Sequence, residues 1–244
     1  MPDQSPPRDI PLLAVLIDAD NIPAKYAEAI LKEITSLGKP ALRRVYGDWS
    51  SDRLRNWADK VLKLGLVAHQ ETANTKGKNA SDIGLVIDAM DILHTGTFDG
   101  FVLVSSDSDF TALANRIRED GKDVIGIGEG KAPESLRNVC DRFILIENIV
   151  DEPEPPKKGT AATAKPAAKT APIEAVPLIL KAMDKIEQED EWYTLGQLGQ
   201  YIVRDSPDFD TRTYGKRKLS DLIKELKRFE TKQIGNQLHV RRAD

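Results

Sequence analysis

Over the first 150 residues the hydrophobic pattern changes period repeatedly. Short, nearly unbroken apolar runs (LLAVLID, ALRRVYG, LVAHQE, FVLVSS, DVIGIG and RFILIE) alternate with longer segments near Ala24–Ser36, Asp52–Leu64, Ala80–His94 and Phe110–Glu119, in which apolar side chains recur every three or four residues. An unbroken apolar run suits a strand covered on both faces, and the three-to-four spacing suits a helix with one apolar stripe. Regular alternation of the two predicts a doubly wound parallel sheet with helices on both faces, a three-layer α/β/α architecture. The segment TANTKGKN, before the third helix, is polar throughout and reads as a loop.

The pattern stops at residues 151–170, DEPEPPKKGTAATAKPAAKT, where no large apolar residue occurs. Pro, Ala, Lys and Thr in this proportion predict a flexible linker, extended where the prolines cluster. Periodicity resumes at 171–244. Ile173, Val176, Ile179, Leu180, Met183 and Ile186 share one helical face, a second helix starts with Thr194 as its N-cap, and FDTRTYGKRKLSDLIKELKRF reads as a third helix before the strand QLHVRR. Three helices with a β-wing make a small winged-helix domain. The chain therefore divides into a domain over 1–150, a linker over 151–170 and a domain over 171–244, with no internal repeat.

The polar residues that end the apolar runs carry the chemistry. LLAVLID runs into Asp18, Ala19, Asp20 and Asn21, and FVLVSS runs into Asp107, Ser108 and Asp109. With strand order 3-2-1-4-5, strands 1 and 4 flank the point where the winding reverses, and ligands bind there, outside the carboxyl ends of the strands. A helix that follows a strand begins on this same edge, which brings Asp82 of KNASDIG to it. Asp18, Asp20, Asp82, Asp107 and Asp109 thus converge from three distant segments. Two carboxylates 4 Å apart repel by about 4 kcal/mol at an effective dielectric of 20, so such a cluster calls for protonation or a cation. All-oxygen donors suit a hard ion, Mg²⁺ or Mn²⁺. Two of the acids also have a purely structural reading. Asp82 fits the first turn of a helix capped by Asn79, and Asp109 fits as N-cap of the helix beginning at Phe110. Nothing structural asks for Asp18 at the end of a buried strand. Asp88 and Asp91, six and nine residues past Asp82, read as facing solvent or lying behind the cluster. Ser105 and Ser106 have no histidine placed to activate them and read as hydrogen-bonding groups.

The motifs LIDADNIP, KNASDIGLVIDAM and LVSSDSDFTALANRIREDGKDVIGIG, in that order over Leu12–Asn148, resemble the NYN domain, a PIN-like nuclease fold. The resemblance implies a metal-dependent ribonuclease that hydrolyses RNA phosphodiester bonds at an acidic cluster, as an endonuclease. Carried over by position, it makes Asp18 and Asp107 the principal metal ligands, with Asp82 and Asp109 completing the set and Asn21 holding the loop or the scissile phosphate; Asp20 ranks lower. Lys76 and Lys78, in the loop leading to Asp82, fit contacts to the RNA backbone or a solvated loop equally well. The C-terminal stretch over about Pro172–Arg242, with WYTLGQLG and YGKRKLSDLI, resembles the LOTUS (OST-HTH) domain, which implies RNA binding or, in some members, a protein partner. Arg212, Lys216, Arg217 and Lys218, at the start of the expected third helix, are candidates for phosphate contact, while Tyr214 and Trp192 read as core.

Composition narrows the alternatives. No apolar run approaches the roughly 20 residues of a membrane span. The polar start MPDQSPPRDIP lacks a signal-peptide core, and Cys140 is the sole cysteine, so the expected compartment is the reducing cytoplasm. Three scattered histidines and one cysteine argue against zinc. Residues 1–150 carry 18 basic and 23 acidic side chains, and residues 171–244 carry 13 of each, so nucleic-acid binding must come from local patches. GIGEGK is glycine-rich but follows the fifth strand, which does not support a dinucleotide fingerprint. Two other functions remain open at this point: an RNA adaptor that does not cleave, and a phosphatase of the haloacid dehalogenase type. The latter rests on Asp18-Ala19-Asp20-Asn21-Ile22, in which Ile22 departs from that family's last motif position.

Overall fold

The computed structural model describes residues 9–50, 52–70, 80–150, 170–188 and 190–243. They form two compact units, lying within Met1–Val150 and Asp151–Asp244. The expected linker, except Thr170, and the loop with Lys76, Lys78 and Asn79 lie outside the described residues.

The first unit runs β1 (Leu12–Asp18), α1 (Ala27–Leu37), β2 (Lys39–Gly47), α2 (Arg55–Leu64), β3 (Val67–Gln70), α3 (Ala80–His94), β4 (Gly100–Val104), α4 (Thr111–Glu119), β5 (Asp123–Gly128), α5 (Glu134–Val139), β6 (Arg142–Leu145) and α6 (Ile146–Val150). The strands form one sheet in the order β3-β2-β1-β4-β5-β6, with every pair parallel. The winding reverses between β1 and β4, as the alternating pattern predicts.

The two-residue period of β1 explains its unbroken apolar sequence. Leu13, Val15 and Ile17 face α1, α2 and α6, where they pack with Ile30, Ile34, Trp57 and Ile149. Ala14 and Leu16 face the opposite layer, with Leu85 and Ala89 of α3, Ile117 of α4 and Leu136 of α5. Each fully buried Leu or Ile contributes about 1.5–3 kcal/mol. The segments read as whole helices at Ala24–Ser36 and Asp52–Leu64 begin instead with 3₁₀ turns, Ala24–Tyr26 and Asp52–Leu54. The apolar run RFILIE is split into a four-residue strand and the start of α6. Gly126 and Gly128 have a packing reason. A Cβ on Gly126 would sit 2.4 Å from the Phe143 ring, and one on Gly128 would sit 2.6 Å from the Ser105 carbonyl oxygen.

The second unit contains α7 (Val176–Lys185), β7 (Tyr193–Thr194), α8 (Leu195–Asp205), α9 (Leu219–Glu225), β8 (Phe229–Ile234) and β9 (Gln237–Arg242). Its sheet is antiparallel, in the order β7-β9-β8. Thr194 caps α8 by accepting from the Gln197 N–H at 3.3 Å. Ile179, Met183, Leu198, Ile202, Leu222 and Val240 form the core. This is the helix and wing order of a winged helix. The long third helix expected from 209–229 is not continuous, however. A 3₁₀ turn over Thr211–Tyr214 closes on Gly215 at φ 74°, a left-handed conformation that stops the helix, and α9 begins only at Leu219. Its last expected residue, Phe229, begins β8, a strand the sequence reading did not separate from that helix.

Candidate active site

Asp18 ends β1 among apolar neighbours and is 3% exposed. Its oxygens face a ready set of donors. Oδ1 accepts from the backbone N–H of Asp20 and of Asn21, each at 3.2 Å, and Oδ2 accepts from the Ser105 hydroxyl at 2.9 Å. Ser105, just beyond β4, also accepts the Asp107 N–H at 3.1 Å. Asn21 completes the joint, its side-chain oxygen accepting from the Ser106 N–H at 3.1 Å, and Ser106 Oγ accepts from the Glu129 N–H at 2.8 Å beyond β5. Asn21, Ser105 and Ser106 thus tie the tips of β1, β4 and β5 together at the reversal point. Four lone-pair sites on Asp18, less three filled, leave one on Oδ2.

Asp82 in the first turn of α3, Asp107 beyond β4 and Asp109 in the next turn each place a carboxylate oxygen within 4.8 Å of the others. Asp82 and Asp107 are half-buried and Asp109 is exposed. Asp107, not Asp109, caps the turn that leads into α4, accepting the Asp109 N–H at 3.0 Å. Asp109 is therefore not the N-cap its position suggested. Electrostatics bind the group together. Burial, with the charges of Asp107, Asp109 and Asp20 added, raises the pKa of Asp82. Burial raises Asp18 to about 6; the Ser105 hydrogen bond opposes this, and the charge of Asp82 adds to it. Asp20 is exposed beside the cluster and contributes charge to both.

The donor set fits a hard divalent cation: three carboxylates within reach of one another. Asp18, expected as a principal ligand, lies outside that group of three and feels the charge of Asp82. Its enclosure, with three of four lone pairs engaged, argues against a role as covalent nucleophile in a phosphatase.

Other expected roles change. Of the two readings of Asp88, the solvent-facing one fails: it is half-buried and ion-paired to Arg44, and it accepts the Tyr46 hydroxyl. Burial works against its ionisation, but the hydrogen bonds from Arg44 and Tyr46 outweigh that and hold its pKa below the usual carboxylate range. Asp91 is exposed, as expected. In the second unit the four basic candidates do not form one free cluster. Arg212 pairs with Asp210, Nη2 to Oδ2 at 2.7 Å, and Lys216 pairs with Glu225, while Arg217 and Lys218 are exposed. Tyr214 packs on the core beside Phe209, their ring centroids 5.7 Å apart. Trp192, expected in the core, lies half-exposed at the sheet, with the Arg241 guanidinium 5.0 Å and the Lys232 ammonium 5.9 Å from its ring centroid. Alternation along β9 is the signal that sequence reading left unused. Val240 points into the core, which turns Arg241, and Trp192 beside it, to the other face.

A six-stranded parallel sheet between helical layers, with acids gathered where its winding reverses, is the architecture of the PIN-like nuclease superfamily. The chain belongs to the NYN domain family, whose model matches residues 12–147, and the model of the OST-HTH/LOTUS domain matches residues 169–240. The chain is similar to an uncharacterized protein of Methanocaldococcus jannaschii, 26% identical over 140 residues. That match covers 55% of each protein, so the chain spans about half the length of this curated relative. A crystal structure of a protein of unknown function from Vibrio parahaemolyticus matches with a TM-score of 0.50 at 19% identity, over 61% of this chain and 98% of that one. This likeness concerns the fold alone. A solution structure of an uncharacterized Nitrosomonas europaea protein is 30% identical over 38% of this chain and 92% of its own, with a TM-score of 0.28. No helix among the described residues is long and apolar enough to cross a membrane.

Proposed function

We propose that the protein is a metal-dependent ribonuclease, an endonuclease whose acidic centre comprises Asp18, Asp82, Asp107 and Asp109, with a tethered C-terminal module that grips RNA. The observation that carries this reading is the meeting of Asp82, Asp107 and Asp109 at the reversal point of an NYN domain sheet. Mg²⁺ or Mn²⁺ held there would supply Lewis acidity and neutralise charge on the phosphodiester under attack. The chain's own residues supply position. The joint made by Asn21, Ser105 and Ser106 fixes the strand tips before substrate arrives, so the acids need no rearrangement to act together. Asp18, held by backbone N–H groups and a serine hydroxyl, is the fixed point of that joint and adds its charge to the field of the cluster. A reducing, cytoplasmic setting accords with a lone, buried cysteine, Cys140.

The test is purified full-length protein with end-labelled single-stranded RNA in Mg²⁺, Mn²⁺ or EDTA, beside a chromogenic phosphatase substrate. Internal cleavage in metal, abolished by EDTA and lost in Asp82→Asn or Asp107→Asn, is expected, with no phosphatase turnover. RNA binding without cleavage under any metal condition would overturn the proposal and leave an RNA adaptor as the better reading.

A further inference from the structure

The acidic centre poses an electrostatic problem for its substrate. A polyanion must approach four or five carboxylates, on a unit whose formal charge is itself negative. Attraction has to come from cations close by. A groove of about 680 Å³ is lined by Asp20 and Asn21, which follow Asp18 at the tip of β1, and by the basic side chains of Lys25, from the turn before α1, and of Arg53, Lys60 and Lys63. The last three, with Asn56, recur at three- and four-residue intervals through the turn Asp52–Leu54 and α2, which is why they share one side of that helix. Lys60 is ion-paired to Glu28 at 2.6 Å, and Asp59 is the acid on the α2 wall. Lys25, Arg53 and Lys63 are exposed.

The floor of the groove sets the mode of contact. Trp57 contributes to the wall but is only 2% exposed, and its indole N–H donates to the Ile22 carbonyl at 2.9 Å. Its ring is committed to the core and offers no face to a base. Lysine and arginine over such a wall match phosphate oxygens, which carry no sequence information.

We infer that this groove is the track for single-stranded RNA on one side of the cleaved bond, with Lys25, Arg53 and Lys63 meeting backbone phosphates and Asn21 marking where the strand enters the acidic centre. The inference rests on the ribonuclease reading and adds to it where the substrate runs and that the track does not read sequence. None of the three cations belongs to the acidic centre, and all three lie on the surface, so their replacement leaves the core and the strand-tip joint intact.

The experiment compares the full-length parent with Lys25→Ala/Arg53→Ala/Lys63→Ala. Fluorescence anisotropy with a single-stranded oligonucleotide, titrated with salt in EDTA, reads binding without cleavage. About 0.7 per phosphate contact on single strands predicts that the slope of log affinity against log salt falls by roughly 2, equally on unrelated sequences. In metal, KM should rise several-fold with kcat nearly kept. Replacing single phosphates by neutral methylphosphonates on one side of the cleaved bond should weaken the parent but not the triple variant, and Lys25→Arg/Lys63→Arg should behave as parent. An unchanged salt slope, or an interference pattern identical in parent and triple variant, would overturn the inference. A parent that binds RNA and never cleaves it defeats the ribonuclease reading instead, and the two failures are read from different measurements.

Discussion

Burial opposes the charge of Asp18 in the folded chain, and the sign of that opposition gives a prediction. Its pKa is about 6 in the fold against an ordinary value of 3.8. Between these values the native state holds more protons than the unfolded chain, so stability falls as pH rises through that window. A shift of about two units corresponds to about 3 kcal/mol. In EDTA, Asp18→Asn should therefore gain on the parent by up to about 3 kcal/mol as pH rises from 4 to 7, because the variant has no charge to bury. Urea unfolding at several pH values checks this, and a stability difference that is flat across the range would refute it. Added Mn²⁺ at pH 7 should stabilise the parent more than the variant, since ligands that bind only the native state raise its stability. Single residues also show how much of the site could be read in advance. The placement of Asp18, Asp82, Asp107 and Asp109 on one edge was legible because each sits at or just beyond an element end, where a parallel sheet binds ligands. Asp88 was not, since its partners Arg44 and Tyr46 lie on β2, more than forty residues away, and only the packing of α3 over β2 reveals them. The ion pairs that occupy Arg212 and Lys216 are equally invisible to a count of basic residues.

At the scale of elements, period decides what sequence can show. The buried strands show as unbroken apolar runs because both their faces are covered, and the longer helices of the sheet domain show as a 3.6-residue period. The 3₁₀ turns and the break at Gly215 escape the same method. They depend on where backbone hydrogen bonds end, and the apolar spacing continues across them. Close approach of elements is a third case. β5 lies against the tip of β4 so tightly that a Cβ on Gly128 would come within 2.6 Å of the Ser105 carbonyl oxygen and 3.0 Å of Ser106 Oγ. The neighbour there is backbone of the strand tip that carries Asp107, and it cannot swing aside as a side chain would. Gly128→Ala should cost about 1–3 kcal/mol in overpacking and also lower kcat, because the shift displaces the Ser105–Asp107 segment. Gly196, early in α8, is the contrast: among the described residues nothing lies within 4 Å of where a Cβ would stand. Gly196→Ala should stabilise its unit by about 0.5–1 kcal/mol without affecting cleavage. Thermal unfolding with parallel cleavage assays separates the two, and a Gly128→Ala protein of parental stability and rate would show that the strand tip has room to move.

At the scale of the whole molecule, an NYN domain and a stretch that matches the OST-HTH/LOTUS domain share one chain. The Pro- and Ala-rich composition of 151–170 supports a tether that raises the effective concentration of RNA at the acidic centre without adding contacts there. A chain ending at Val150 should then keep its kcat on a short oligonucleotide while its KM rises, because each unit has its own core. Under the proposed grip on RNA, ion pairs decide which basic residues are available to phosphate. Arg212 and Lys216 are held by Asp210 and Glu225, and the exposed Arg217 and Lys218 lie between Gly215 and α9. Arg217→Ala/Lys218→Ala in the full-length protein should reduce the salt slope for single-stranded RNA by about 0.7 for each contact, roughly 1.4 in all. Arg212→Ala should leave the slope nearly unchanged and lower the stability of the unit instead, since Asp210 would keep its charge and lose its partner. A slope that falls with Arg212→Ala and not with the double variant would assign the phosphate contact to the turn before Gly215 and reverse the order of these residues.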